Sequence, residues 1–230
     1  EVTTGPLGQG FGNGVGMAIA EAFLAARYNR PGFEIINHFT FAIVSDGDIM
    51  EGVAAEAASL AGHLKLGKLI YLYDDNRISL AASTDLSFSE DVGKRFDAYG
   101  WHTITVPDGN NLNEIEAAIR AAQADDRPSL IAIKTVIGYG MPTQGTRKAH
   151  SDPPGEEETK LTKQKLGWPA AEPFHLPEEA LAHFHEAIAR GQKSEAQWNE
   201  QFTAYKREFP ELSRELEQAL RGELPAGWEA

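Results

Sequence analysis

Short apolar runs alternate with helical patterns along the first part of the chain. The runs lie at residues 39–44, 69–73, 101–106 and 129–136. Each has the length and the branched or aromatic content of a buried strand. The helical patterns end near Asn29, span Glu51 to Leu66, span about Glu90 to Tyr99, and begin at a cap on Asn111 or Asn113. Alternation of this kind predicts an α/β fold, a largely parallel sheet with helices on both faces.

The pattern after the last strand is helical. A polar stretch rich in Gly and Pro, from Gly138 to Pro154, has the length of a functional or disordered loop. Three helices are then predicted, at Pro177 to Arg190, Ser194 to Glu208 and Pro210 to Leu220. Apolar residues at helical spacing predict core or docking contacts there, and they are Leu181, Phe184, Ile188, Trp198, Phe202, Tyr205 and Phe209. We expect an α/β domain over residues 1–155 and a helical tail over residues 156–230 that leads to the linker of an absent next domain.

Composition is ordinary for a soluble globular protein, with 230 residues, 42% hydrophobic and 24% charged. A net charge of -13 argues against a nucleic-acid partner, which would need clustered Lys and Arg. Apolar runs are too short to span a membrane and no signal segment is seen, so we expect a cytoplasmic protein without a membrane partner. The absence of Cys excludes disulfides and thiolate metal sites. Because the chain opens at Glu1 just before a glycine loop, we expect an upstream segment to be missing, cleaved or carried by another chain.

Polar residues follow the first two predicted strands where each strand ends. The first set is Asp46-Gly47-Asp48, and the second is Asp74-Asp75-Asn76. A right-handed crossover makes the two strands parallel neighbours, so both sets lie at the carboxyl edge of the sheet, where such folds bind ligands. A carboxylate, an amide oxygen and a backbone carbonyl fit the oxygen ligands of magnesium. Either set alone is also ordinary turn chemistry, and Asp46 and Asp48 compete for the role of first ligand.

Glycines are dense between Gly5 and Gly16, before and inside the first helical pattern. Backbone N–H groups in such a loop can approach an anion closely, while small residues within a helix also allow tight packing. No G-x-G-x-x-G pattern fits these glycines and no strand precedes them, so a Rossmann dinucleotide site is unsupported.

Several motifs in this order resemble transketolase. The Asp-Gly pair with the later Asn is similar to the thiamine diphosphate motif. The others are EVTTGPLGQG at residues 1–10, SLAGHLKLG at 59–67, AYGW at 98–101 and IGYG at 137–140. The resemblance implies transfer of a two-carbon ketol unit from a ketose phosphate to an aldose phosphate, as in the pentose phosphate pathway. It implies thiamine diphosphate and Mg²⁺ as cofactors, with Ca²⁺ able to substitute for Mg²⁺.

The resemblance also assigns roles to residues. It favours Asp46 over Asp48, and implies Asp46, Asn76 and the Ile78 carbonyl as metal ligands. Residues that match cofactor-contacting positions are Gly5, Pro6, Leu7, Gly47, Glu51, Asn76, Ile137 and His150. His150 matches a histidine that contacts the diphosphate and the substrate, and is the candidate catalytic residue.

Departures and alternatives accompany these roles. Ser45 stands where the family usually has Gly, and Ser151-Asp152-Pro153 replaces a usual Gly-Ala-Pro. A second family histidine is replaced near Arg147 and Lys148. From sequence alone Glu51 could serve only as a helix start, and His150 could be a solvated loop residue.

Transketolase normally completes this cofactor site with an aminopyrimidine-binding domain of a second subunit. The resemblance thus implies a homodimer or a complementary chain, sugar phosphates as substrates, and an isolated chain that is incomplete as an enzyme. Alternatives are dihydroxyacetone synthase, a deoxyxylulose phosphate synthase, or a catalytically silent partner subunit. The silent subunit predicts loss of metal ligands, whereas Asp46 and Asn76 are present.

Overall fold

The fold is described from a computed structural model that covers residues 1–169, 172–225 and 227–229. Contacts divide the chain into two compact units, Glu1–Ala20 with His38–Ala171 and Glu21–Asn37 with Glu172–Ala230. This division differs from the predicted domain boundary between residues 155 and 156. Compact units need not be domains, so that boundary stays a prediction. The predicted tail includes Ala170, Ala171, Ala226 and Ala230, which lie outside the described residues.

A parallel sheet forms the centre of the first unit. Its strands are β1 (Thr40–Ser45), β2 (Leu69–Asp75), β3 (His102–Val106) and β4 (Ser129–Lys134), in the spatial order β1-β2-β4-β3. All neighbouring strands are parallel, and the register pairs Ser45 with Asp74. The predicted parallel pairing of the first two strands is confirmed. Their carboxyl ends, and the polar residues that follow them, therefore lie side by side.

Helices precede, connect and follow these strands. They are α1 (Gln9–Tyr28), α2 (Asp46–Met50), α3 (Gly52–His63), α4 (Val92–Ala98), α5 (Leu112–Gln123), α6 (Arg147–Ser151) and α7 (Gly155–Lys165), with a 3₁₀ turn at Thr84–Leu86. The cap of α5 is Asn111, whose side chain accepts from the Glu114 N–H. Helices α2 and α6 were not predicted, because five residues are too few for an apolar period to show. Among the described residues, no helix is long and apolar enough to cross a membrane.

Apolar side chains cover both faces of the sheet. On one face Phe11, Phe96 and Trp101 pack around Tyr71, whose hydroxyl donates to the Phe11 carbonyl. Residues of α1, α3 and α4 share this cluster. On the other face, residues of α5 pack on Ile70 and Ile131 of the sheet. Helices thus flank the sheet on both sides, as the sequence predicted.

The second unit is helical. It contains α8 (Glu178–Glu208) and α9 (Pro210–Leu220). The prediction of two helices between 177 and 208 was wrong, because α8 runs without a break through Gly191. One Gly costs a helix only about 1 kcal/mol. Trp198, Phe202 and Tyr205 form its core with Tyr28, whose carbonyl accepts from the Tyr205 hydroxyl at 2.7 Å.

Candidate functional site

Asp46 is the most buried acidic residue at the carboxyl edge of the sheet. It follows β1 directly, opens α2, and is only 3% exposed. Its Oδ1 accepts a hydrogen bond from the Tyr73 hydroxyl, but Oδ2 has no partner among the described residues. A buried carboxylate oxygen without a partner is costly unless a cation or donor is supplied. Asp46 therefore has the properties of a metal ligand.

Burial raises the pKa of Asp46 above its ordinary value. The Tyr73 hydroxyl and the nearby backbone N–H of Arg77 oppose this shift, while the charge of Asp75 adds to it. Burial also raises the pKa of Tyr73, so this hydroxyl keeps its proton and remains a donor. A divalent ion beside Oδ2 would favour the charged carboxylate and offset the effect of burial.

Asp48 is occupied by other hydrogen bonds. Its Oδ2 accepts from the Ser45 N–H at 3.0 Å and from the Ser45 hydroxyl at 3.2 Å, while Oδ1 accepts from the Gly8 N–H at 3.1 Å. These contacts give a physical reason to prefer Asp46 as the ligand. This role of Asp48 was not predicted, although the spacing Ser45-x-x-Asp48 is that of a capping box.

Ser45 fits the turn without strain. Its φ of -124° and ψ of 177° are ordinary extended values that any residue adopts. The serine therefore leaves the course of the chain intact where the family usually has glycine. Its hydroxyl adds a hydrogen bond to Asp48 that glycine lacks.

Hydrogen bonds fix the turn that carries the other two candidate metal ligands, Asn76 and Ile78. Asn76 Oδ1 accepts from the Ile78 N–H at 2.9 Å, and its Nδ2 donates to Asp74 at 3.1 Å. Asp74 also accepts from the hydroxyl of Thr135. Arg77 between the two ligands has a φ of 61°, which turns the chain sharply. An amide oxygen has two lone pairs, so Asn76 Oδ1 retains the capacity to bind a metal.

The glycine loop reaches the turn at Asp46. Gly5, Pro6 and Leu7 are exposed just before α1. The Leu7 side chain leans on Gly47, where an added Cβ would lie 3.2 Å from Leu7 Cδ1. The structure thus brings the predicted cofactor residues at 5–7 and 47 together.

Glu51 lies against the same loop. An added Cβ on Gly8 would lie 2.7 Å from Glu51 Cβ, and Gly8 has a φ of 76°, so this position requires glycine. Glu51 is the N-cap of α3, yet its side chain makes no cap hydrogen bond. Its carboxylate is exposed and is not engaged in helix capping.

The loop after β4 folds back on its own start. The Gly145 N–H donates to the Ile137 carbonyl at 2.9 Å, and Ala149 fills the space beside Gly138. His150 follows Ala149 in α6 and is exposed. The fold therefore returns His150 toward the end of β4. None of the hydrogen bonds among the described residues joins it to Asp46 or Asn76.

A cavity of about 550 Å³ opens at this carboxyl edge. Asp46, Tyr73, Arg77 and Lys134 are among its lining residues, and Lys134 pairs with Asp75. Within the described ranges, no group of three or more His, Asp or Glu could hold a metal. A metal at Asp46 would therefore need amide, carbonyl, water or phosphate oxygens as its other ligands.

Comparison with protein families gives one match over nearly the whole chain. The family described as "Transketolase, thiamine diphosphate binding domain" matches residues 1–225. The transketolase of Geobacillus stearothermophilus is 58% identical over 233 residues, which cover 100% of this chain and 35% of that protein. Transketolase 7 of Craterostigma plantagineum is 51% identical, covering 100% of this chain and 34% of its own length. The chain thus spans about a third of these curated relatives.

Solved structures give the same result. A transketolase from Pichia stipitis in complex with sedoheptulose-7-phosphate matches with a TM-score of 0.96 and 46% identity, over 99% of this chain and 34% of that one. The transketolase from Leishmania mexicana matches with a TM-score of 0.96 and 43% identity, over the same shares of the two chains. The fold predicted from the sequence is confirmed by these structures.

Proposed function

Because this chain belongs to the transketolase family, to its thiamine diphosphate-binding domain, we propose that it binds the diphosphate side of that cofactor through a divalent ion and serves ketol transfer. The reaction moves a two-carbon unit from a ketose phosphate to an aldose phosphate. The observation that carries the proposal is the buried, unpartnered oxygen of Asp46 beside the Asn76 turn.

The metal ligands in this proposal are Asp46 Oδ2, Asn76 Oδ1 and the Ile78 carbonyl. Magnesium is the expected ion, with calcium as a substitute, since both are bound through oxygen ligands. Tyr73 is hydrogen-bonded to Asp46, and Asp74 is hydrogen-bonded to Asn76. Hydrogen bonds of this kind fix the orientation of metal ligands. The remaining positions around the ion suit water and phosphate oxygens.

Residues around the ion orient the cofactor. We assign the contacts with it to Gly5, Pro6, Leu7, Gly47, Glu51, Asn76, Ile137 and His150. The exposed backbone of the glycine loop offers N–H donors to an anion. Glu51 lies at the edge of this region, and its carboxylate makes no helix-cap hydrogen bond. When bound, thiamine diphosphate supplies the nucleophilic carbon and stabilises the negative charge left by carbon–carbon cleavage.

His150 is the candidate for proton transfer or charge stabilisation on the substrate side. Imidazole donates or accepts a proton near neutral pH. Exposure in a short helix beyond β4 leaves the ring accessible to a substrate. We assign sugar phosphates as substrates, and the complex of the Pichia stipitis relative with sedoheptulose-7-phosphate supports that class.

A partner is part of the proposal. Apolar side chains are exposed on β1, where Ile43 is 81% exposed, and on α8, where Phe184 is 75% exposed. Exposed apolar surface of this kind is typical of interfaces. We propose a homodimer, or a complementary chain, that supplies the aminopyrimidine-binding domain. Cytoplasmic localisation and a place in the pentose phosphate pathway belong to the same proposal.

The role of Asp46 can be tested by calorimetry on the complete assembly, by which we mean this chain together with the proposed aminopyrimidine-binding domain. Asp46→Asn keeps the volume of the side chain but removes its charge. We expect it to weaken metal-dependent thiamine diphosphate binding by roughly 100-fold, because even residues behind a metal ligand cost 10- to 100-fold when replaced. Asp108→Asn, at the end of β3, is the control, since Asp108 caps only its own exposed turn. Unchanged affinity in Asp46→Asn would remove Asp46 from the site.

A further inference from the structure

Asp48 joins two segments that are 40 residues apart in the chain. One carboxylate oxygen accepts from the Gly8 N–H of the glycine loop. The other accepts from the backbone N–H and the hydroxyl of Ser45, at the end of β1. The carboxylate thus connects the loop before α1 with the turn that carries Asp46.

The connection is strong for a single side chain. A charged acceptor makes stronger hydrogen bonds than a neutral one. Asp48 is also the third residue of α2, and its carboxylate accepts from the N–H of the N-cap residue Ser45, as in a capping box. Both oxygens of Asp48 already accept hydrogen bonds, whereas Oδ2 of Asp46 accepts none from the described residues, so Asp46 is the better-placed metal ligand.

Breaking this connection would release the loop. Within the described residues, Gly8 is tied to the turn by this side-chain bond and by close packing against Glu51. Residues 5–7 before it are exposed, with Leu7 resting on Gly47. The hydrogen bond from the Gly8 N–H to Asp48 therefore adds to the contact of Leu7 with Gly47 in holding residues 5–7 beside the turn.

We propose that Asp48 is a positioning residue that holds the glycine loop against the metal-binding turn before the cofactor arrives, with the Ser45 hydroxyl orienting its carboxylate. This inference rests on the proposed function. In this proposal Asp48 contacts neither the ion nor the diphosphate. It reduces the ordering that binding must otherwise supply, because the loop is already in place.

The test uses the complete assembly and two readouts. Hydrogen–deuterium exchange of the segment around Gly8, without cofactor, reports on the loop itself. Calorimetry with thiamine diphosphate at saturating magnesium reports on affinity. For Asp48→Ala we expect hydrogen exchange around Gly8 to become roughly 10- to 100-fold faster. We expect the affinity for thiamine diphosphate to fall by the same factor, because the loss of one hydrogen bond to a charged group has an effect of this size. Ser45→Ala, which removes one of the three bonds, should cost about threefold.

Asn111→Ala is the matched control. Asn111 caps α5 through one hydrogen bond, in which its side-chain oxygen accepts from the Glu114 N–H at 3.3 Å. That variant should lose stability as a helix cap does, by about 0.5 to 2 kcal/mol, while exchange near Gly8 and affinity stay at wild-type values. If Asp48 served only as a helix cap, Asp48→Ala would behave as Asn111→Ala does, and the proposal would fail.

The two proposals fail differently. If the wild-type assembly shows no metal-dependent thiamine diphosphate binding, the proposed function is wrong. If the wild type binds and Asp48→Ala binds equally well with unchanged exchange, only the role of Asp48 is wrong. If Asp48→Ala does not fold, Asp48→Asn decides, because it keeps one acceptor oxygen and should show the same two changes to a smaller extent.

Discussion

At the scale of single residues, the choice between Asp46 and Asp48 shows what sequence can and cannot supply. Both acids lie in one turn, and only resemblance to a family favoured the first. The structure adds the physical reason, because the Asp46 carboxylate is buried with an oxygen that has no partner among the described residues, whereas both oxygens of Asp48 accept hydrogen bonds. The bond from Tyr73 to Asp46 was not predicted, since it depends on which face of β2 the ring occupies.

The prediction at this scale concerns the effect of His150 on turnover. His150→Ala should lower turnover of the complete assembly by roughly 100- to 10,000-fold if the ring assists proton transfer or stabilises charge. Stability should barely change, because the side chain is exposed. Steady-state kinetics and a thermal melt measure the two quantities. His63→Ala, at the exposed end of α3, is the control. Wild-type turnover in His150→Ala would make it a solvated loop residue.

At the scale of elements, the strands were predicted well and the short helices were not. Runs of β-branched and aromatic residues marked β1 to β4 within two residues at each end. The spatial order of the strands could not be predicted from the sequence, because β4 lies between β2 and β3 and this pairing is not local in the chain. A start signal at Ser194 suggested a new helix, but continuous backbone bonding carries α8 through it.

The turn between α5 and β4 gives a prediction on pH. Hydrogen bonds from the Arg127 side chain lower the pKa of Asp125 to about 2. Since the folded pKa lies below the ordinary value of about 3.9, this carboxylate stabilises the fold above about pH 4. That contribution is lost as the pH falls toward 2.

Denaturant unfolding of Asp125→Asn at several pH values measures this effect. The difference in unfolding free energy between the wild type and Asp125→Asn should be full near neutral pH and shrink as the pH falls through the window from about 4 to 2. Asp126→Asn, at the exposed neighbouring position, controls for the loss of one charge. A difference that stayed constant across the same window would contradict the role given to Arg127.

At the scale of the whole molecule, charge opposes the proposed ligands. The chain has a net charge of -13, whereas thiamine diphosphate at its phosphate end and sugar phosphates are anionic. Screening limits this repulsion to about 8 Å at physiological salt, so groups close to the site decide the outcome. A divalent ion held by Asp46 would supply positive charge next to the diphosphate of a bound cofactor. The proposed binding of the diphosphate therefore depends on that ion more than on any other feature of the site.

Anomalous diffraction from crystals of the complete assembly, grown with thiamine diphosphate and Mn²⁺, tests this claim most directly. Manganese favours the same oxygen ligands as magnesium and can be located by its own signal. We predict a peak bonded to Asp46 Oδ2, Asn76 Oδ1 and the Ile78 carbonyl, at about 2.0 to 2.6 Å from each. A peak bonded to Asp48, Asp74 or Asp75, or a bound cofactor with no peak beside Asp46, would contradict the account.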